Sequence, residues 1–233
     1  MAGVGQTWQL DLAEQSVREV NQYLHQRLSE DCVNHVEIIN PDGRHSIAVG
    51  LDAEVDVDIL GHAGYFVGGM NKRANVTVHG NVGWSVGENI MSGLVRVKGN
   101  ASECAAASGH NGLVVIEGDA SSRCGISMKG VDIVVGGSVG HVSGFMAQAG
   151  RMVICGDADP GLGDSLYEAV IYVGGEIRGL GADAQEEPMQ DSDFQVLGEL
   201  LKRAEMTADV RAFRRVASAR TLYHWNVDAG QEY

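Results

Sequence analysis

A glycine returns every nineteen residues between positions 61 and 175, at Gly61, Gly80, Gly99, Gly118, Gly137, Gly156 and Gly175, and no other feature of the chain restricts its fold so tightly. Four and two residues before each of these anchors stands an aliphatic or Met side chain: Val57/Ile59, Val76/Val78, Val95/Val97, Val114/Ile116, Ile133/Val135, Met152/Ile154 and Ile171/Val173. Paired apolar residues two apart, repeated ahead of a turn residue, describe a short strand with one buried face. A period of about twenty residues is too short for a propeller blade and leaves no room for a crossover helix, so the units must stack and bury their faces on one another. The expected fold is all-β: a right-handed parallel β-helix of seven turns, stacked at roughly 4.8 Å and on the order of 29 Å long.

Inside each unit a secondary pattern keeps phase with the anchor. Gly68, Gly87, Gly125, Gly144 and Gly163 follow it by seven residues, and Gly93, Gly112 and Gly150 by thirteen. Glycine adopts positive φ without penalty and otherwise weakens extended chain by roughly 0.5–1 kcal/mol, so its retention in phase points to steric demand at the corners. The anchor column is read as structural corners, with Gly118 in mid-stack needing glycine both for its backbone angle and for clearance between turns. Six residues after the anchor runs a second inward column: Val67, Val86, Ala105, Cys124, Ser143 and Leu162.

The outward position three residues before each anchor reads Asp58, Thr77, Arg96, Val115, Val134, Val153 and Tyr172. Stacked valines do not suit a solvated face. The stripe Val115, Val134, Val153 and Tyr172 is therefore expected to be covered, by a terminal helix of the same chain or by a partner subunit.

The chain divides into residues 1–50, an N-terminal helix and lead-in; 51–181, the β-helix; and 182–233, an acidic linker and helical tail. Asp11 with Glu14 suggests a capping box, and Val17, Val20, Leu24 and Leu28 share one face of a helix over 12–28. Asn40-Pro-Asp-Gly43 marks a turn. After the linker, Ser192 is placed to cap a helix carrying Phe194, Leu197, Leu200 and Leu201, and a second short helix is expected to carry Val210, Phe213 and Val216. Arg211, Arg214, Arg215 and Arg220 crowd there, facing solvent, the chain's own carboxylates or a partner. Leu222-Tyr-His-Trp225 is too aromatic to dangle free.

Candidate chemistry is sparse, and no catalytic, cofactor-binding or metal-ligating residue is assigned. Asn81, Asn100, Asp119, Ser138 and Asp157 form a column just after the anchors, where short polar side chains commonly bond neighbouring backbone. His79, Lys98 and Glu117 stack as a charge ladder, and His62, His110 and His141 sit at three different phases. The cysteines at 32, 104, 124 and 155 lack ligand spacing and read as packing residues in a reducing compartment. The Gly-x-x-Gly-x-x-x-Gly units at Gly61, Gly80 and Gly137 recur and precede no helix, unlike a nucleotide loop. A net charge of −14 argues against nucleic acid and anionic membrane surfaces. With no signal peptide and no apolar run of membrane-spanning length, the expected location is the cytoplasm.

Over residues 50–181 the glycine repeat, with its recurrent Val-x-Val-x-Gly-Asn/Asp, resembles the GXGXG β-helix domain that ends the large subunit of glutamate synthase. Arg18-Glu-Val-Asn21, Gly179-Leu-Gly-Ala-Asp183 and Ser218-Ala-Arg-Thr-Leu-Tyr-His224 resemble the free-standing version of that domain, the GlxC-type subunit of three-component N-methylglutamate synthase. The resemblance implies a non-catalytic scaffold that joins a class II glutamine amidotransferase subunit to a subunit binding FMN and an iron-sulfur cluster, with no cofactor on this chain. The chain is consistent with that share of the work: Met1-Ala2 supplies no N-terminal cysteine nucleophile, no FMN-type barrel fits the remaining length, and cluster spacing is missing. Two alternatives keep the fold. The β-helix scaffold of formylmethanofuran dehydrogenase, a molybdenum or tungsten enzyme, is similar in its repeat, without the Ser218–His224 stretch. A stand-alone carbohydrate-active β-helix would need a carboxylate cluster.

Overall fold

The computed structural model describes residues 6–26, 28 and 33–221. Eleven strands of these residues form one sheet: β1 (Gln6–Asp11), β2 (Val33–Ile39), β3 (Asp56–Leu60), β4 (Asn75–Val78), β5 (Leu94–Val97), β6 (Leu113–Ile116), β7 (Lys129–Val135), β8 (Ala149–Ile154), β9 (Val170–Val173), β10 (Ala184–Glu187) and β11 (Arg214–Ser218). β1 to β9 follow one another in parallel, and the sheet ends in the order β9-β11-β10 with both last pairings antiparallel. Helices α1 (Val17–Gln26) and α2 (Asp191–Arg203) flank the stack. The protein is a parallel β-solenoid of about seven turns.

The nineteen-residue period is the register of the sheet. Val57 pairs with Val76, Val76 with Val95, and so on through Val114, Ile133, Met152 and Ile171. Identical positions therefore stack on identical positions, and both inward columns are sealed from solvent. A third inward column, two residues after the anchor, is made of single parallel bridges from Ala63 through Val82, Ala101, Ala120, Val139 and Ala158 to Ile177. Full burial of a Val or Ile contributes about 1.5–3 kcal/mol, and each coil repeats the gain.

Of the two demands expected at the anchors, clearance between turns is met and a special backbone angle is not. In Gly80 to Gly175 the anchor φ is not positive; only Gly61 has one, +149°. What the column needs is room: a Cβ on Gly118 would collide with Asn100 Oδ1 and sit 2.9 Å from the carbonyl oxygen of Gly99. Left-handed backbone lies five, seven and nine residues after the anchor, where only the middle position is mostly glycine, and at the expected Gly93, Gly112 and Gly150, thirteen residues after it. Phe66, Ser85, Cys104, Arg123 and Val142 take φ of 58–62°, and Met70, Asn89, Ser108, Ser127, Met146 and Ser165 take 51–56°.

The alternation turns successive N–H groups up and down the stack. Ser85 and Asn89 donate to Glu103 O (2.9 Å) and Ala107 O (2.9 Å) of the next coil, and Gly87 between them donates to Val67 O (2.9 Å) of the previous one. A left-handed L-residue costs roughly 1–2 kcal/mol, and here that cost is offset by corners whose backbone donors are bonded on both sides.

At the N-terminal end the helix starts later than its sequence signal. Asp11 closes β1 rather than capping a helix. Ser16 and Glu19 form the box instead, with Ser16 N donating to Glu19 Oε2 (2.8 Å) and Glu19 N to Ser16 Oγ (3.3 Å). Val20 and Leu24 enter the solenoid core, and the Asn21 amide spans Ser46 O (2.8 Å) and Ala48 N (2.9 Å). Residues 12–16, the start of the predicted helix, form a turn; Arg27, Cys32 and Leu222–Trp225 lie outside the described residues.

At the other end, the stretch read as an acidic linker contains β10, and the second short helix is a single 3₁₀ turn (Val210–Ala212) followed by β11. Val216 pairs with Ile171 and joins the inner core, whereas Phe213 packs on the outside. A three-residue apolar spacing fits one helix face, yet here it separates two faces of a wall. Gln190, not Ser192, precedes α2, and its N–H donates to Asp193 Oδ2 at 2.8 Å. Arg214 and Arg215 pair with Glu186 and Glu187 on the neighbouring strand, so this part of the arginine cluster faces the chain's own carboxylates.

Candidate functional site

The outer face of the strand wall splits in two. Over β6 to β9, Val115, Val134, Val153 and Tyr172 are buried beneath Leu197, Leu200 and Leu201 of α2, Ala204 just after it, and Phe213. Tyr172 OH donates to Asp193 Oδ1 at 2.8 Å, which ties the first turn of α2 to the last parallel strand. Burial, with the Asp193 carboxylate beside it, holds the Tyr172 hydroxyl protonated far above its ordinary range. At the far end of α2, Arg96 Nη1 donates to Ala204 O at 3.0 Å, a cation at a helix C-terminus. The cover is thus a helix of the same chain.

Over β2 to β5 the same face is open. It forms a groove of about 620 Å³ whose walls include His35, Asp58, Thr77, His79, Arg96 and Lys98. Asp58, on β3, lies between two imidazoles, with His35 Nε2 2.8 Å from Oδ2 and His79 Nε2 2.6 Å from Oδ1. Partial burial alone would raise its carboxyl; the bonds to His79 and then His35 outweigh burial and hold it below the ordinary carboxylate value. Glu117 is governed the same way. Burial pushes it up, while Lys98 (2.7 Å) and Arg96 (2.9 Å) bring it below its ordinary value. Asp132 is met by Arg203 (3.1 Å) and Arg151 (3.5 Å). The groove's Asp58 is thus engaged with two of its histidines, and its Arg96, Lys98 and Arg203 with Glu117 and Asp132 beside it.

His35 Nδ1 also lies 3.1 Å from Thr7 Oγ1, so hydroxyl, imidazole and carboxylate occur in series. Thr7 stands outside the groove's lining, and the series follows from register, since Thr7 pairs with His35 across β1 and β2. The sequence reading missed this cluster. Asp58 was read only as a polar member of the outward stripe and His79 as part of a ladder, and His35 lies outside the nineteen-residue period because β2 pairs with β3 at an offset of 21, Ile38 with Ile59.

The polar column after the anchors is a hydrogen-bonded ladder. Asn81 Oδ1 accepts from Asn100 N (2.8 Å), Asn100 Oδ1 from Asp119 N (2.8 Å), Asp119 Oδ1 from Ser138 N (2.7 Å), Ser138 Oγ from Asp157 N (3.0 Å) and Asp157 Oδ1 from Glu176 N (2.8 Å). His62 Nδ1 accepts from Asn81 N (2.9 Å) and begins it. These side chains stack coils.

The Cys124 thiol is pushed up to about 12 by burial, and burial also raises Cys155 and Cys104. Among the described residues no group of three His, Cys, Asp or Glu is placed to hold a metal ion, and no helix is long and apolar enough to cross a membrane.

In comparisons with known proteins, Protein GlxC of Rhizobium meliloti (strain 1021) is 50% identical to this chain over 228 residues, covering 96% of this chain and 99% of the relative. No protein-family model matches the chain, and no solved structure matches it at a significant level.

Proposed function

The chain belongs to the GlxC family, and from that footing we propose that it is a non-catalytic scaffold subunit of a glutamate synthase-like complex. The complex of choice is N-methylglutamate synthase, which makes N-methylglutamate from glutamate and methylamine in the cytoplasm. The chain joins a class II glutamine amidotransferase-like subunit to a subunit carrying FMN and an iron-sulfur cluster, and both cofactors reside on that partner. The observation that carries the reading is the full-length likeness to Protein GlxC, taken with the resemblance of the repeat and outer segments set out above. The physical character of the molecule supports it. A stack locked by its corners, ladder and α2 suits holding partners at a fixed spacing, and the charged groups of the groove over β2 to β5 are largely paired.

The test is affinity purification of the tagged chain from its own host, with mass spectrometry and an assay for N-methylglutamate formation. Recovery of an amidotransferase-like and an FMN-binding subunit, with turnover only by the complex, is the expected result. Recovery of a pterin-metal subunit, or turnover by the isolated chain, overturns the reading. In the active complex, Asp58→Asn is expected to leave kcat within about twofold, because on this reading the reacting groups belong to the partner subunits.

A further inference from the structure

The repeats of this protein act as controls for one another, and they single out two coils. Four residues after the anchor the chain carries Tyr65, Trp84, Glu103, Ser122, His141 and Pro160 on the same backbone. Glu, Ser, His and Pro serve there, so the solenoid has no need of an aromatic at this place. Yet Tyr65 and Trp84 are 48% and 61% exposed, and with Phe66 they line a cavity of about 440 Å³ whose exposed wall is almost wholly apolar.

Two of the three rings are already held in position. The Tyr65 ring stacks on His45 with centroids 3.8 Å apart, and Tyr65 N donates to His45 Nδ1 at 3.1 Å. The Phe66 ring lies against the Cα of Gly69, where a Cβ would come within 2.9 Å of Cζ. Rigid exposed aromatics meet a partner with little ordering cost, and Trp and Tyr dominate the energetics of protein interfaces.

Charge selects the occupant. Glu103 continues the aromatic column, and Glu88 stands four residues after Trp84. Ser85, which lines the cavity, donates its N–H to Glu103 O (2.9 Å) and accepts from Glu88 N (3.2 Å), which places both glutamates on this flank, with the exposed Arg123 two coils on. A second copy docked across a two-fold axis would set this acidic rim against itself, on chains that each carry a net charge of −14.

We propose that Tyr65, Phe66 and Trp84 form the docking site for a different protein, one that presents an apolar segment flanked by lysine or arginine. The proposal rests on the scaffold reading above and assigns this face to one of the two partner subunits.

The purified chain and a Tyr65→Ser/Trp84→Glu variant are each titrated against the two purified partner subunits, the amidotransferase-like and the FMN-binding one. The introduced Ser and Glu already stand at this position in other coils, so the melting temperature is expected to stay near that of the wild type. Affinity for one subunit is expected to fall at least about 100-fold, the loss of two hot-spot residues, with the other unchanged. Wild-type binding to that subunit should also weaken with added salt. If the aromatic variant does not fold, Glu88→Lys/Glu103→Lys interrogates the same rim and must slow association. Failure of the wild type to bind either subunit removes the scaffold reading. Equal binding by wild type and variants overturns this site while leaving the scaffold reading standing. A wild-type dimer in sedimentation that the variant abolishes assigns the patch to a second copy and overturns the proposal.

Discussion

The outward face of the strand wall carries two regions built on one backbone. Over β6 to β9 the outward residues are Val115, Val134, Val153 and Tyr172, sealed under α2; over β3 to β5 they are Asp58, Thr77 and Arg96, at or beside an open groove. Register, inner columns and corner geometry do not change between them. A solenoid coil therefore has one fixed side and one free side: stacking dictates the inward residues, and a single outward position per coil decides whether that coil meets a helix or solvent. Arg96 marks the seam. It is only 7% exposed and bonds both Glu117 of the next coil and the last turn of α2.

The most severe way to break this comparison is to attack what the two regions share. Gly118→Val forces a side chain into the Gly99 carbonyl and is expected to cost more than about 4 kcal/mol or abolish folding; unchanged denaturation would show that the anchor needs no clearance. Next comes the difference itself. Val134→Asp buries a carboxylate without a partner beneath α2 and should destabilise by about 3 kcal/mol or more, while Thr77→Val, at the equivalent place on the open side, stays within about 0.5 kcal/mol. Equal losses in urea titrations would mean that the open side is covered too.

Acid distinguishes the regions more gently. Asp58 and Glu117 are held below their ordinary values in the folded chain. Each therefore contributes stability above the unfolded value of about 4 that is lost as pH falls through the lower folded value. The melting temperature should decline as pH drops from about 5 to 3, and Asp58→Asn with Glu117→Gln should flatten that decline; a parallel curve would show that these bonds contribute nothing in solution. The smallest effect sharpens the account of the corners. Arg123 is exposed at φ 59°, so Arg123→Gly is expected to stabilise by about 0.5–1 kcal/mol by relieving left-handed strain. A loss in thermal denaturation would mean that its side chain does more than occupy the corner.

Much of the stack was legible because periodicity is a local signal repeated many times. The pairs from Val57/Ile59 to Ile171/Val173 and the column from Val67 to Leu162 are buried as the spacing requires. The ends were not legible. β2 is a strand because β3 offers it an edge, and β1 because β2 does in turn, and their offsets of 21 and 28 break the period that would have revealed them. β11 is a strand because β9 and β10 flank it, although Val210, Phe213 and Val216 are spaced as on a helix. The candidate site suffered most: His35, Asp58 and His79 are far apart in period and phase, and only the stacking of β2, β3 and the coil after β4 brings them onto one carboxylate.

By itself the sequence determined the solenoid, its pitch of nineteen residues and the identity of its inner columns, because each coil's apolar face can be buried only against a copy of itself. Tertiary structure decided the rest. It brought α2 onto the valine stripe, gathered two histidines around Asp58, and bent residues such as Arg123 and Val142 into left-handed corners, because those outcomes depend on which surfaces and which unpaired N–H and C=O groups neighbouring coils leave to be satisfied.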